Sequence, residues 1–88
     1  MKESEIERQL KVLANRRRLA ILNTVKKRSE ASVGDIAEVI KLSFTSTSKH
    51  LTMLERTGFL EKEQRSLNVY YRLASNAPNL LSLILPLL

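Results

Sequence analysis

The short spacing between two helical segments in the middle of the chain strongly limits its possible folds. Residues 32–40 repeat apolar side chains at positions i, i+3, i+4 and i+7, the clearest helical periodicity in the sequence. These side chains are Val33, Ile36, Ala37 and Ile40. A second helical segment follows at residues 43–57, with Ser32 and Ser43 as the predicted N-caps of the pair. Two helices joined by so short a turn cross steeply, which is the geometry of a helix-turn-helix.

Helix-start signals indicate two further helices before this pair. Ser4 with Glu7 three residues later has the pattern of a capping box, which predicts a first helix to about Ala14. Asn15 is a plausible N-cap for a second helix, and residues 26–28 place three cations in its last turn, where the helix dipole favours them. Four helical segments are therefore predicted in succession.

The hydrophobic period changes after Gly58, which is well placed to end the fourth helix. Residues 60–73 contain two runs around a short polar turn, and the second run alternates with period two, which predicts a β-hairpin. Its alternating residues are Val69, Tyr71 and Leu73. Asn68 is the turn residue expected to tolerate a positive φ. Residues 79–85 predict a short apolar helix at the end of the sequence.

These elements predict a mainly α protein with a small β-hairpin, in the order α-α-α-α-β-β-α, which is a winged helix-turn-helix. A chain of 88 residues has room for one hydrophobic core, so residues 1–88 are predicted to form a single domain. In this fold the helix at residues 43–57 enters the major groove of DNA, and the hairpin at residues 60–73 forms the wing.

The amino-acid composition indicates which kind of partner and which cellular compartment to expect. Fifteen Lys and Arg against nine Asp and Glu give a net charge of +6, which favours an acidic partner such as double-stranded DNA. Cysteine is absent, which excludes disulfides and thiolate metal sites. The longest apolar stretch, residues 80–88, is too short to cross a membrane, and no signal peptide is present, so we expect a cytoplasmic protein without membrane contact.

Three segments of the chain also occur together, in this order, in a known family. They are Leu13-Ala14-Asn15 with Arg18-Leu19-Ala20-Ile21-Leu22, Leu42-Ser43 with Ser48-Lys49-His50-Leu51, and Val69-Tyr70-Tyr71-Arg72-Leu73. They resemble the corresponding segments of the ArsR/SmtB-type repressors. The resemblance implies a homodimeric transcriptional repressor that binds an inverted-repeat operator. The family often has glycine where this chain has Lys41, so a positive φ at that position would cost about 1–2 kcal/mol.

The polar face of the fourth helix holds the predicted DNA contacts. On a helical wheel, Thr47, Leu51 and Leu54 face inward and polar side chains lie opposite. The predicted DNA-binding residues are Ser43, Thr45, Ser46, Ser48, Lys49, His50, Thr52 and Arg56 in the helix, and Arg65 at the wing tip. Lys49 toward guanine would be the most discriminating contact. The competing interpretation is that these side chains form an ordinary solvated face.

His50 lies at the boundary between this polar face and the core. Three interpretations remain open from the sequence: a half-buried histidine bonded to the backbone, a contact to phosphate or base as the family resemblance suggests, and a metal ligand or pH switch.

The positive charge is unevenly distributed. Residues 1–28 hold nine basic and three acidic side chains, whereas residues 29–73 hold six of each. The basic runs at residues 16–18 and 26–28 therefore either flank the DNA or are simply solvated. Arg18 is a candidate for a structural ion pair, since the family pattern keeps arginine there.

The last segment suggests dimerisation because it is apolar on nearly all sides. We expect a two-fold interface formed by residues 1–14 and 79–88. The predicted interface residues are Ile6, Leu10, Leu13, Leu80, Leu81, Ile84 and Leu85. The alternatives are that half of the segment covers the core while the rest frays, or that it lies on a membrane surface.

The sequence predicts no enzyme, no cofactor and no bound metal. Ser46 and His50 lie one helical turn apart, but they lack an orienting carboxylate and an oxyanion hole. One histidine and no cysteine make a transition-metal site improbable, and the effector is left open. The rival function is a winged-helix module for protein–protein interaction without DNA binding, suggested by the neutral charge of residues 29–73 and the apolar tail.

Overall fold

The computed structural model describes residues 2–88, which form five α-helices, a three-stranded sheet and a final 3-10 turn. The helices are α1 (Glu3–Leu13), α2 (Arg16–Arg28), α3 (Val33–Ile40), α4 (Phe44–Arg56) and α5 (Asn79–Ile84), and the 3-10 turn is Leu85–Leu87. The strands are β1 (Glu30–Ser32), β2 (Leu60–Arg65) and β3 (Asn68–Leu73). The predicted winged helix-turn-helix is confirmed, with one additional strand.

Three of the predicted helix caps are present. The side chains of Asn15, Ser32 and Ser43 each accept a hydrogen bond, at 3.1 Å, from the backbone N–H three residues later. Each bond satisfies one of the free N–H groups in a first helical turn, so these starts are specified locally.

The predicted cap at Ser4 is wrong. Helix α1 begins at Glu3, and its N-cap, Lys2, makes no side-chain capping bond. Glu3 and Glu5 place two carboxylates in the first turn, where they suit the positive end of the helix dipole. Ser4 is therefore an ordinary residue of that turn.

The turn between α3 and α4 contains a residue in the left-handed backbone conformation. Lys41 has φ 56° and ψ 53°, and the next amide, of Leu42, donates to the carbonyl of Ala37 at 3.0 Å. This conformation ends α3 and redirects the chain into α4 within a few residues. The guanidinium of Arg17 donates to the free carbonyl of Ile40 at 2.8 Å, which ties the turn to α2.

The sheet is antiparallel and has the order β1-β3-β2. Strand β1 was not predicted, since only Ala31 of its three residues is buried and so short a segment shows no periodicity. The hairpin turn is Ser66-Leu67, because Arg65 pairs directly with Asn68. The positive φ falls on Ser66, at 57°, and the prediction that Asn68 would carry it is wrong.

The core lies between the helices and the sheet. Its fully buried apolar side chains are Ile21, Leu22, Val25, Ile36, Leu51, Leu54, Phe59 and Leu60. The inward stripe predicted for α4 is confirmed, since Thr47, Leu51 and Leu54 are all 0% exposed. Gly58, with φ 89°, follows the end of α4 and turns the chain toward Phe59 and β2. The core thus holds one side of α4 and leaves the other free.

Candidate nucleic-acid interface

The outer face of α4, opposite the buried stripe, carries a group of polar side chains. Thr45, Lys49 and Arg56 are exposed, and Ser48 and Thr52 are half-exposed. With Phe44 and Met53 they line a shallow groove of about 450 Å³. The structure therefore brings five of the predicted residues together on one surface. Ser43 and Ser46 lie beside it at the N-terminal end of the helix, where the Ser43 hydroxyl oxygen already accepts from the amide of Ser46.

Two apolar residues of this surface were not among the predicted contacts. Phe44 is 61% exposed in the first turn of α4, and Met53 is 41% exposed two turns later. Met53 lies about 200° from Leu51 on the helical wheel, which was the available signal for its exposure. Phe44 lies within about 20° of Leu51 on the wheel, so the helical period gave no signal for its exposure. Apolar side chains at such positions can contact the methyl group of thymine, so they belong to the candidate interface.

Tyr71 of β3 lies close to Thr52 and Glu55 of this helix, and its side chain is buried. Burial, followed by the charge of Glu55, raises the pKa of Tyr71, and the Thr52 hydroxyl acts in the opposite direction. The phenol therefore stays neutral.

Two of the three wing cations, Arg65 and Arg72, are engaged within the protein, whereas Lys62 is exposed and in no ion pair within residues 2–88. Arg65 contacts Glu30 at 2.5 Å and Glu63 at 2.9 Å, and Arg72 contacts Glu61 at 3.0 Å and Glu63 at 3.1 Å. The two guanidinium groups hold the pKa of Glu63 below its usual value. Arg65 also stacks over the ring of Tyr70, with 4.8 Å between the guanidinium carbon and the ring centroid. Arg65 is therefore an ion-paired residue here, not a free cation as the sequence suggested.

His50 is bonded to a side chain of another helix. The Nε of Arg18 donates to Nδ1 of His50 at 3.2 Å, and Arg18 also donates to the carbonyl of Val12 at 3.3 Å. His50 is half-buried, as one of the three open interpretations has it, but its partner is a side chain and not the backbone. Arg18, the candidate for an ion pair, is in none within residues 2–88. Since arginine can only donate, Nδ1 must be unprotonated and the ring proton sits on Nε2. Nε2–H is then the group that His50 can offer to a ligand.

The environment of His50 favours the neutral ring. Burial lowers the pKa of His50 below 6.5, and the charges of Arg18 and Arg17 lower it further. Protonation of Nδ1 would also place two donors against each other at the Arg18 contact. His50 is thus a neutral hydrogen-bond donor at physiological pH.

We expect the stability of the protein to fall as the pH drops below 6.5. The unfolded chain then binds a proton at His50 before the folded chain does, so protonation favours unfolding down to the lowered pKa. His50 is the single histidine, so no other side chain has its usual titration range there. Urea unfolding between pH 7.5 and 5.5 measures this slope, and His50→Gln is expected to reduce it. Equal slopes for the two proteins would contradict the assignment.

A second surface lies on the outer side of α1. Ile6 and Leu10, 36% and 47% exposed, line an apolar groove of about 390 Å³ with Ala14 and the flanking Glu3, Glu7 and Lys11. Leu83 and Leu87 near the end of the sequence are more exposed still, at 68% and 79%.

The predicted dimer residues divide into three groups. Ile6 and Leu10 are exposed, as an interface requires. Leu80, Ile84 and Leu85 are half-buried and pack against the core. Leu13 and Leu81 are only 4% and 3% exposed, so they belong to the core of the subunit and the prediction of a partner contact is wrong for them. Leu83 was missed, although it lies about 200° from Leu81 around α5 and must therefore face outward.

Two further properties bear on function. Among residues 2–88, no cluster of three or more His, Asp and Glu side chains could hold a metal ion. No helix in this part of the chain is both long and apolar enough to span a membrane.

Comparison with known proteins identifies relatives along most of the chain. HlyU of Vibrio cholerae, a transcriptional activator, is 38% identical over 66 residues, which cover 75% of this chain and 60% of that protein. CadC of Listeria innocua, a cadmium resistance transcriptional regulatory protein, is 34% identical over 61 residues, which cover 69% of this chain and 51% of that protein. The aligned segments thus span about half to three-fifths of these curated relatives. Both are named as regulators and not as enzymes.

Solved structures share the whole fold. HlyU from Vibrio cholerae superposes with a TM-score of 0.82 at 31% identity, covering 99% of this chain and 97% of that one. The homodimeric winged helix-turn-helix DNA-binding domain of Mb0332 from Mycobacterium bovis, a possible ArsR-family transcriptional regulator, superposes with a TM-score of 0.81 at 30% identity, covering 96% of this chain and 78% of that one.

The family match contains the helix-turn-helix described above. The model for bacterial regulatory proteins of the arsR family matches residues 15–62, from the N-cap of α2 to the beginning of β2. This is more than half of the chain. The protein is therefore a member of the arsR family of bacterial regulatory proteins, with a winged helix-turn-helix fold.

Proposed function

We propose that the protein binds double-stranded DNA sequence-specifically through the outer face of α4. The observation that carries this proposal is the face itself: hydroxyl groups and the cations Lys49 and Arg56 lie together on a helix whose other side is fully buried. Neither cation is in an ion pair within residues 2–88. A rigid helix with such a face fits the major groove, where Lys contacts guanine and Ser or Thr contacts either kind of base edge.

The same proposal assigns the remaining predicted contacts. Ser43 and the N–H groups at the start of α4 suit a backbone phosphate, and His50 offers Nε2–H about two turns further along the helix. Arg65 would reach a phosphate only by exchanging its contacts with Glu30 and Glu63. We therefore assign the wing a smaller share of the affinity than α4.

We further propose that the protein acts as a homodimer, with α1 and the segment at residues 79–88 as the dimerisation elements of a single domain. Ile6, Leu10, Leu83 and Leu87 are the exposed apolar side chains of these elements. The homodimeric relative Mb0332 supports this proposal. A stable interface of this kind buries about 1,600 Å² in total. Two-fold symmetry would then place two α4 helices about 34 Å apart, which requires an inverted-repeat operator.

The direction of regulation is proposed to be repression. A dimer that occupies an inverted repeat across a promoter blocks access to that DNA without needing any further contact. The relative HlyU is named a transcriptional activator, so activation is the competing direction. A promoter–reporter fusion measured with and without the protein distinguishes the two: repression lowers expression, and activation raises it.

Selection of bound duplexes from a random pool tests DNA recognition, symmetry and spacing together. We expect an enriched inverted repeat whose half-site centres lie about one helical turn apart. Its affinity should decrease steeply between 50 and 200 mM salt, because phosphate contacts release counterions. Absence of enrichment and of low-salt binding would overturn the proposal in favour of a protein–protein interaction module. An enriched site without two-fold symmetry would overturn only the dimer.

A further inference from the structure

Few cations of the helix-turn-helix and the wing lie outside ion pairs and can contribute to the electrostatic attraction of DNA. Residues 29–73 carry no net charge, and the wing cations Arg65 and Arg72 already contact three carboxylates. Lys49 and Arg56 on α4 and Lys62 on the wing remain outside ion pairs in the part of the chain that the structure describes. Affinity for duplex DNA generally depends on several phosphate contacts, so further free cations are needed close to α4.

We infer that Arg16, Arg17 and Lys41 form a cationic patch that binds a backbone phosphate of the DNA beside the groove occupied by α4. This inference rests on the proposed function. The three side chains, with Ala20 and Ile40, line a concavity of about 390 Å³ where the start of α2 meets the helix-turn-helix. We call this group the α2–turn patch.

The geometry of the α2–turn patch is held by the backbone. The Arg17 guanidinium donates to the carbonyl of Ile40 at 2.8 Å, so it lies next to the residue before Lys41. The left-handed conformation of Lys41 is itself secured by the hydrogen bond from Leu42 to Ala37. Arg16 and Lys41 are exposed and line the same concavity as Arg17. The start of α2 and the turn after α3 therefore meet at the α2–turn patch.

The charge of the α2–turn patch is uncompensated. No carboxylate lines the concavity, and none of its three cations is in an ion pair in the part of the chain that the structure describes. The concavity also adjoins the start of α2, a helix of 13 residues whose dipole adds positive potential. Every element of the patch therefore favours an anion.

The position of the α2–turn patch beside α4 indicates that the anion it binds is a phosphate of the DNA. Lys41 comes two residues before Ser43, the N-cap of α4, and Arg18, next to Arg17, is bonded to His50 on α4. The α2–turn patch thus lies beside the N-terminal end of α4. A helix whose N-terminal end enters the major groove has a sugar–phosphate strand along each side, so a phosphate is expected at this position.

The test compares two pairs of substitutions that remove the same charge. Arg16→Gln with Lys41→Asn removes two cations of the α2–turn patch, and asparagine tolerates the left-handed conformation. Lys27→Gln with Arg28→Gln removes two exposed cations from the opposite end of α2 and is the matched control. Arg17 is retained because it supports the turn. Arg16→Gln alone is a second variant that leaves the turn unchanged.

Affinity for the selected duplex is measured by fluorescence anisotropy at several salt concentrations. Loss of this one phosphate contact in each subunit should reduce the slope of log K against log salt by about 2 for a dimer, and Arg16→Gln alone should reduce it by less. The preference for the operator over a mismatched duplex should stay the same, because phosphate contacts do not read sequence. The control pair should change the slope by less than one.

Equal changes in the patch variant and the control pair would overturn the inference, since they would indicate only long-range attraction. An unchanged slope in the patch variants, with operator binding intact, would overturn it while leaving the proposed function standing. Failure of the unmodified protein to bind any duplex would overturn both.

Discussion

Lys49→Ala is expected to weaken binding to the preferred duplex by about 30-fold or more. Lys49 is exposed near the middle of α4 and is in no ion pair within the described chain, so nothing in the subunit competes for its charge. A good contact to a base contributes about 1–3 kcal/mol of discrimination. A symmetric dimer would make this contact twice, and a loss of about 2 kcal/mol already corresponds to roughly 30-fold.

Fluorescence anisotropy at constant salt measures this loss, and Lys27→Ala is the control. Lys27 is an exposed lysine in the last turn of α2, so its substitution removes the same charge far from the predicted contact. A base contact by Lys49 also predicts relaxed preference at one position of each half-site, whereas a phosphate contact predicts uniform weakening. If Lys49→Ala binds as tightly as the unmodified protein, the outer face of α4 is not the reading surface.

Leu10→Gln combined with Leu83→Gln is expected to convert the protein into a folded monomer. Both side chains are exposed in the subunit, at 47% and 68%, so their replacement leaves the core intact. Four leucines would be lost from a two-fold interface, and each buried leucine contributes about 1.5–3 kcal/mol. Glutamine is neutral, so attraction to DNA through net charge does not change.

The monomer should also lose most of its affinity for an inverted repeat. Two linked half-site contacts bind about 10²–10⁴-fold more tightly than one, and a monomer lacks this gain. Sedimentation equilibrium and operator titration measure the two effects. Leu67→Gln, at a wing-tip leucine that is 95% exposed, is the matched control and should leave both properties unchanged. A dimer that survives the double substitution would place the interface elsewhere.

The contrast between Leu10 and Leu13 shows where inference from the sequence stops. Both belong to the apolar pattern of α1, and the sequence alone predicts that both meet a partner. The crossing of α1 over the rest of the domain buries Leu13 to 4% exposure and leaves Leu10 at the surface. A helical period identifies an apolar stripe. Which residues of that stripe face the core of the subunit and which stay at its surface depends on how the helix packs against the rest of the domain.

Partners distant in the sequence were likewise beyond prediction. Glu30 and Arg65 are 35 positions apart and meet because β1 and β2 flank β3. Arg18 and His50 are 32 positions apart and meet because α2 packs against α4. The sequence shows that these residues are charged or polar, but the register of a sheet and the contact of two helices decide which groups pair. Strand β1 was not predicted for the same reason, because its three residues form a strand only through their pairing with β3.

Local interactions explain what was predictable. Helix caps at Asn15, Ser32 and Ser43, the inward stripe of α4 and the glycine after it all depend on residues within one or two turns of each other, where residue type and spacing suffice. All helices, the hairpin strands, their order and the polar face of α4 were accordingly predictable from the sequence, whereas strand β1 was not. Charge compensation in the wing, the tautomer of His50 and the cations left free beside α4 arise only when distant segments pack, because a side chain's electrostatic state depends on the groups that surround it in space.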